Sequence, residues 1–411
     1  MSSPVRSSVG VYHFRFEEVA MLEYFPTNYV WNLATNLAVM MGGNIGEIDI
    51  ICRCLVEASK RGDDEGTEAF FDAWCHQADT LVELANEDIE HGRTLSAGKK
   101  FGRAATYYLT AERAQNREYE PRKQAYSKML DSFDKFIKLN EENCERVEIP
   151  YEGKTIAGLL VRAERADGSP APCIAHFNGL DSTKEMIYGA GIAQALARRG
   201  ISTLMVDQPG VGEALRLHGL CAVVESEKWA GAVVDYLETR KEIDRDMIGV
   251  CAWSLGGYYA PRAAAFEKRF KLCVAWGANF NWGELQRRRL AREGDKPVPH
   301  YWEHVQWVWG KNSLEEFMEF APQVTLEHVI DKITVPFLVT HGANDRQIPL
   351  EYAHAQYERA VNSPKRELKL FTEKEGGVEH VSADNIENAR DYIADWISET
   401  FSELGAIGVR K

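Results

Sequence analysis

Three side chains, far apart in the chain, have the types and settings that acyl transfer requires. Ser254 lies in Trp253-Ser254-Leu255-Gly256-Gly257, with Ala252 two positions before it and Gly256 two after. A serine hydroxyl is a poor nucleophile until a histidine takes its proton and an acid orients that histidine. Asp345 stands in Gly342-Ala343-Asn344-Asp345-Arg346-Gln347-Ile348-Pro349, and His380 ends the glycine-rich run Glu373-Lys374-Glu375-Gly376-Gly377-Val378-Glu379-His380. Such a set can attack a carbonyl carbon, pass the proton to the leaving group and release the acyl group to water. Asp384, four residues after His380, is the reserve acid, with capping of the last helix as its other reading.

The chemistry also requires two backbone N–H groups aimed at the developing oxyanion. One is expected from Leu255, directly after the nucleophile. The other belongs in the loop Asn178-Gly179-Leu180-Asp181-Ser182-Thr183-Lys184-Glu185, with Leu180 first and Gly179 next. Substrate-pocket candidates are Asp181 in that loop, Trp253 beside the nucleophile, and Asn279, Trp282, Glu284 and Trp302 further on. The loop Asp207-Gln208-Pro209-Gly210-Val211-Gly212-Glu213 lacks dinucleotide glycine spacing and reads as a pocket wall. His300-Tyr301-Trp302-Glu303-His304 matches the letters HxxEH, but no third ligand follows at a recognisable spacing. Aromatic packing in a helix is the expected role of this segment, with no metal and no cofactor. His176 and His341 are read as structural histidines.

The elements that must position these groups change character near residue 145. Before it, apolar residues recur at helical spacing over Thr67 to Asn86 and over Ala97 to Gln115. After it, short apolar runs alternate with amphipathic helices. Arg146 to Ile149 and Thr155 to Val161 flank a hairpin turn at Tyr151-Glu152-Gly153-Lys154. Cys173 to Phe177, Ile201 to Val206, Ile248 to Ala252, Leu272 to Trp276, Pro336 to His341 and Leu368 to Phe371 read as strands. Glu185 to Arg199, closed by Gly200, and Glu225 to Arg240 read as helices between them. The expectation is a mostly parallel, eight-stranded sheet with helices on both faces. Residues 1–144 are expected to form a helical domain, and 145–411 the catalytic domain, with a cap insertion over about 279–332. Serine, aspartate and histidine in that chain order, each after a different strand, is the α/β-hydrolase arrangement.

Composition narrows the classes further. Of 411 residues, 45% are hydrophobic and 27% charged, the proportions of a globular chain. A formal net charge of -14 repels phosphate backbones, so nucleic acid is not an expected partner. The eight cysteines contain no CxxC pair and read as reduced thiols of a cytoplasmic protein. No apolar run approaches the roughly 18 residues of a membrane span. A small molecule is the expected partner.

On its Asn178 to Glu185, Trp253 to Gly257, Asp345 and His380 segments, the chain resembles an α/β-hydrolase subgroup. That subgroup comprises bacterial pseudooxynicotine hydrolases and fungal yellowish-green type polyketide hydrolases. The resemblance covers roughly residues 145–404, and the preceding helices in character. It implies Ser254, Asp345 and His380 as a triad, a homodimer, and N-terminal helices closing over the site. It also implies hydrolysis of carbon–carbon bonds in 1,3-diketones, acyl-aromatics or polyketide-like molecules. Nothing in the triad separates this from a carboxylester hydrolase or thioesterase.

Overall fold

The computed structural model describes residues 21–165, 168–292 and 298–408. Asn28 and Asn44 open the first two helices. Their side chains accept the N–H groups of Trp31, and of Gly46 and Glu47, which the helical backbone leaves unpaired. Among the described residues five helices come first: α1 (Tyr29–Met40), α2 (Ile45–Ser59), α3 (Thr67–Glu90), α4 (Thr94–Arg113) and α5 (Pro121–Leu139). The apolar stripe Phe70, Phe71, Trp74, Ala78 and Leu81 of α3 is buried, as its spacing predicts. So are Phe101, Ala104, Ala105 and Tyr108 of α4, which packs between α3 and α5.

The chain then forms β1 (Glu145–Tyr151), β2 (Lys154–Val161) and β3 (Ala171–Phe177). Helices α6 (Lys184–Gly189) and α7 (Ile192–Ala197) lead to β4 (Ser202–Val206). The single helix expected over Glu185 to Arg199 is thus two, because Gly191 adopts φ 78° and breaks the ladder. Next come α8 (Gly212–Arg216), α9 (Ser226–Glu238), β5 (Ile243–Trp253), α10 (Gly256–Phe266) and β6 (Phe270–Trp276). The insertion holds α11 (Trp282–Ala291), α12 (Tyr301–Val308) and α13 (Leu314–Phe320). The chain closes with β7 (Phe337–Gly342), α14 (Leu350–Arg359), β8 (Arg366–Phe371) and α15 (Ile386–Gly408).

The eight strands make one sheet in the order β1-β2-β4-β3-β5-β6-β7-β8. Strand β2 is antiparallel to both its neighbours, and all pairs from β4 onward are parallel. Trp253 of β5 pairs with Trp276 of β6, and Trp276 pairs with Thr340 of β7. The loops that follow these strands therefore leave from one edge, which is where a site on such a sheet is built. Two apolar clusters fill the interior. One joins α1–α5 to Ile174, Met205, Val274 and Leu338 on one sheet face; the other packs α9, α10 and the insertion on the opposite face. No helix among the described residues is long and apolar enough to cross a membrane.

Candidate active site

Ser254 sits between β5 and α10 with φ 59°, a left-handed conformation that strains a residue bearing a Cβ. Close packing enforces the turn. The Ser254 N–H donates to Trp276 O at 2.9 Å, and its carbonyl accepts the Gly257 N–H at 2.8 Å. A Cβ on Gly256 would lie 2.6 Å from Ala252 Cβ and 2.9 Å from Asn178 O. Alanine is tolerated at 252 because glycine occupies 256. A Cβ on Gly179 would lie 2.8 Å from Ser254 Cβ, so the β3 loop also approaches Ser254 as glycine alone permits.

Ser254 Oγ lies 2.8 Å from His380 Nε2, and His380 Nδ1 lies 2.9 Å from Asp345 Oδ2. The other Asp345 oxygen accepts the N–H groups of Gln347 at 2.8 Å and Ile348 at 3.0 Å. Burial alone would raise the Asp345 pKa; the His380 ring beside it and these hydrogen bonds hold it down to about 2. Asp345 is therefore a carboxylate at neutral pH, fixing His380 with Nε2 toward the serine. Asp384 does not join this row and does not cap α15 through its side chain. Its carboxylate accepts the N–H groups of Gly377, Val378 and Glu379 at 2.7, 3.2 and 2.9 Å, bracing the loop that delivers His380.

His341 accepts the Ala278 N–H at Nδ1 and lies 3.0 Å from Ile348 O at Nε2, which sets one neutral tautomer. Burial lowers its pKa, and burial lowers that of His176 to about 3. Both are buried in the sheet, with His341 Nε2 3.8 Å from Asp345 Oδ2. The HxxEH pair diverges: His300 reaches Thr67 Oγ1 of α3 at 3.1 Å, while His304 lies near Asp181. No cluster of metal-binding side chains occurs among the described residues.

The Gly179 N–H is engaged by Ser182 Oγ at 3.0 Å. Among the described residues the N–H groups of Leu180 and Leu255 make no hydrogen bond. Both leucines line the cavity that contains Ser254 and His380. Of the six pocket candidates, Asp181, Trp253, Asn279 and Trp282 line it too. Glu284 and Trp302 do not. Glu284 turns to Arg287 and Arg288 on its own helix, the i+3 and i+4 partners that a helical surface favours. Trp302 packs edge-on against Tyr301, with ring centroids 5.1 Å apart. The loop read as a pocket wall is instead a buried clasp. Asp207 accepts the Lys184 and Glu213 N–H groups at 2.8 and 3.0 Å and pairs with Lys184 Nζ at 3.0 Å.

Several lining residues escaped sequence reasoning. Leu33 and Leu37 of α1 and Arg113 of α4 bring the N-terminal helices to the cavity. The Arg113 guanidinium is paired with Asp181 in the β3 loop. Arg289 of α11 lines the other side with Gln347 and Ile348. Arg289 carries one signal that could have found it: it follows Trp282 by seven residues, two helical turns, and so shares its face.

Comparison with known proteins gives the family and its relatives. The sequence profile of the family described as esterase FrsA-like matches residues 66–282, and that of the prolyl oligopeptidase family matches residues 228–403. The chain is 29% identical over 332 residues to a 2,6-dihydropseudooxynicotine hydrolase of Paenarthrobacter nicotinovorans, covering 80% of this chain and 83% of that protein. It is 25% identical over 398 residues to the 20-hydroxy-prefusarin hydrolase FUS2 of Gibberella moniliformis, covering 88% and 93%. A crystal structure of a 2,6-dihydroxy-pseudo-oxynicotine hydrolase superposes with a TM-score of 0.71 at 25% identity, covering 89% of this chain and 95% of that one.

Proposed function

The chain belongs to the FrsA-like esterase family within the α/β-hydrolases, and from that premise we propose that it is a serine hydrolase cleaving an acyl–carbon bond in a 1,3-diketone or acyl-aromatic small molecule. The observation that carries the reading is the row Ser254 Oγ, His380 and Asp345, at 2.8 and 2.9 Å, opening on a cavity that also holds two unengaged N–H groups.

In this reading His380 Nε2 takes the Ser254 proton as Oγ attacks the substrate carbonyl, and Asp345 stabilises the imidazolium that forms. The Leu180 and Leu255 N–H groups receive the oxyanion. The carbon–carbon bond then breaks, its electron pair leaving as a carbanion delocalised onto the neighbouring ketone, and His380 protonates that carbon. Water attacks the acyl-serine with His380 as base. The net reaction consumes one water and yields a carboxylic acid and a shortened ketone. Support for a carbon–carbon substrate comes from the subgroup resemblance and from relatives named as pseudooxynicotine and prefusarin hydrolases.

A carboxylester hydrolase or thioesterase with the same triad is the second reading, favoured by the esterase description of the family. The deciding experiment incubates the enzyme and its Ser254→Ala variant with matched 1,3-diketones and esters and identifies the products by mass. A new carboxylic acid and a new C–H terminus, absent with the variant, establish carbon–carbon hydrolysis. Ester cleavage alone assigns the second reading. The homodimer implied by the resemblance and the cytoplasmic location read from the cysteines belong to the same proposal, and sedimentation of the purified protein tests the first of them.

A further inference from the structure

Three side chains of fixed charge line the cavity: Arg113, Asp181 and Arg289. Arg113 and Asp181 form an ion pair and neutralise each other. Arg289 has no carboxylate partner among the described residues. Its Nη1 donates to Tyr301 OH at 2.9 Å and its Nη2 to Gln347 O at 2.7 Å, both neutral acceptors. The Tyr301 hydroxyl gives its own proton to Gln286 Oε1, so it meets the guanidinium as an uncharged phenol. The Tyr301 ring lies 5.3 Å from Arg289 Cζ and steadies the group from its face. A guanidinium carries five N–H donors, and these contacts use two. The rest of the pocket's fixed charge is cancelled, which leaves a held cation with spare donors.

Its position relative to the triad is defined by Gln347. That residue's N–H donates to Asp345 Oδ1 at 2.8 Å while its carbonyl accepts from Arg289. The cation thus stands on the acid-loop side, whereas the two free N–H groups come from the nucleophile and β3 loops. An ester needs only those two N–H groups, because its leaving alkoxide is protonated directly by the histidine. Breaking a carbon–carbon bond generates a second anion, the enolate of the departing ketone, and requires a second stabilising site.

We propose that Arg289 is a catalytic residue that binds the distal carbonyl oxygen of a 1,3-diketone and stabilises the enolate as the bond breaks. The inference rests on the carbon–carbon reading of the same site. As the tetrahedral intermediate collapses, the electron pair of the bond moves through the α-carbon onto the distal oxygen at Arg289. His380 then protonates the α-carbon, and the pair returns to re-form the ketone.

The test compares kcat/KM for a diketone and a nitrophenyl ester in the wild type, Arg289→Gln and Arg289→Lys. Loss of one preorganised donor to a developing oxyanion slows reactions by about 10²–10³-fold, so Arg289→Gln should lower the diketone-to-ester ratio by about 100-fold, with Arg289→Lys recovering part of it. A second readout needs no turnover: in Ser254→Ala, a bound diketone should show the red-shifted absorption of its enolate, and adding Arg289→Gln should abolish that shift. Equal losses on both substrates, or an unchanged enolate band, overturn the role of Arg289 and leave carbon–carbon hydrolysis standing. A wild type that cleaves esters but no diketone removes both readings together.

Discussion

The indole N–H of Trp253 donates to Ser182 Oγ across 2.9 Å, joining the end of β5 to the loop that follows β3. The same oxygen accepts the Gly179 N–H at 3.0 Å and donates to Asn178 Oδ1 at 2.7 Å. Asn178 is anchored in turn, its N–H and carbonyl both bonded to the Gln208 side chain at 3.0 Å. One small hydroxyl therefore ties the end of β5 to the β3 loop. It also occupies the Gly179 N–H, while the Leu180 N–H on that loop stays unbonded.

Ser182→Ala removes this hub and strands two buried N–H groups, each of which costs about 1–3 kcal/mol when left unpaired. The variant should be less stable by about 2 kcal/mol in urea denaturation. Its kcat should fall by roughly 10-fold to 100-fold, since a donor displaced from the oxyanion loses most of its effect. An unaltered kcat would show that the β3 loop keeps its place without the hydroxyl.

Gly179→Ala acts on the same loop from the other direction. Its new Cβ would meet Ser254 Cβ at 2.8 Å and Trp253 O at 3.1 Å, closer than such atoms pack. Either the loop or Ser254 must shift, and a loss of about 10²-fold or more in kcat is expected from a misplacement of that size. Burst kinetics with a nitrophenyl ester would locate the loss in acylation. A variant with a normal acylation burst would mean that the contact relaxes elsewhere.

What could be read beforehand is what short-range pattern encodes. The runs of the inner strands are apolar because the sheet is covered there on both faces, whereas β1 and β8 at its edges keep charged, exposed positions; all eight strands reappear near their expected places. Ser254, Asp345 and His380 were visible because each follows such a strand in a turn whose glycines mark tight backbone. The charged lining was not visible. Arg113 meets Asp181 across 68 positions, and no local pattern marks either partner. On α11 the eye falls on Glu284, near the strand end, but Asn281 caps that turn and Arg287 and Arg288 claim the carboxylate. The pocket face of the helix is the one through Trp282 and Arg289, and only knowing which side the sheet lies on selects it.

Acid should unfold the protein through carboxylates held ionised in its interior. Burial alone would raise the pKa of Glu112 and of Glu213, as of Asp345, but arginine and lysine partners hold both glutamates at about 2. Their ordinary values are 4.5 for the glutamates and 3.8 for the aspartate. Between those values and about 2 the unfolded chain binds protons that the folded chain refuses, so stability is full above the ordinary values and falls as pH drops through this window. Each group contributes a slope of about 1.4 kcal/mol per pH unit there. Asp207 and Glu379, raised by burial, oppose the trend in part. Urea midpoints measured from pH 6 down to 2.5 should fall steeply below about pH 4.5, and Glu112→Gln should flatten the fall. A stability independent of pH across that window would contradict the assignment.

Glu112 also ties α4 to α5 and to α8. Its carboxylate, 1% exposed, accepts Arg122 Nε of α5 at 2.9 Å and Arg216 Nε of α8 at 2.8 Å. Both guanidiniums stack on the Trp307 ring of the insertion, at 4.8 and 5.6 Å from its centroid. Removing the carboxylate strands two buried cations, a change that destabilises proteins by about 3–5 kcal/mol. Glu112→Leu should therefore be far less stable than Glu112→Gln, which keeps hydrogen-bond acceptance at one oxygen. Replacing all three charges at once, as Glu112→Met with Arg122→Leu and Arg216→Met, should recover much of the loss, because the cations that need the carboxylate are gone. Because the next residue, Arg113, holds Asp181 in the loop after β3, Glu112→Leu should also lower kcat at temperatures well below its unfolding midpoint. Denaturation curves and ester kinetics on the three variants separate the two effects. A triple variant no more stable than Glu112→Leu would show that packing around Trp307, rather than charge pairing, secures the helices.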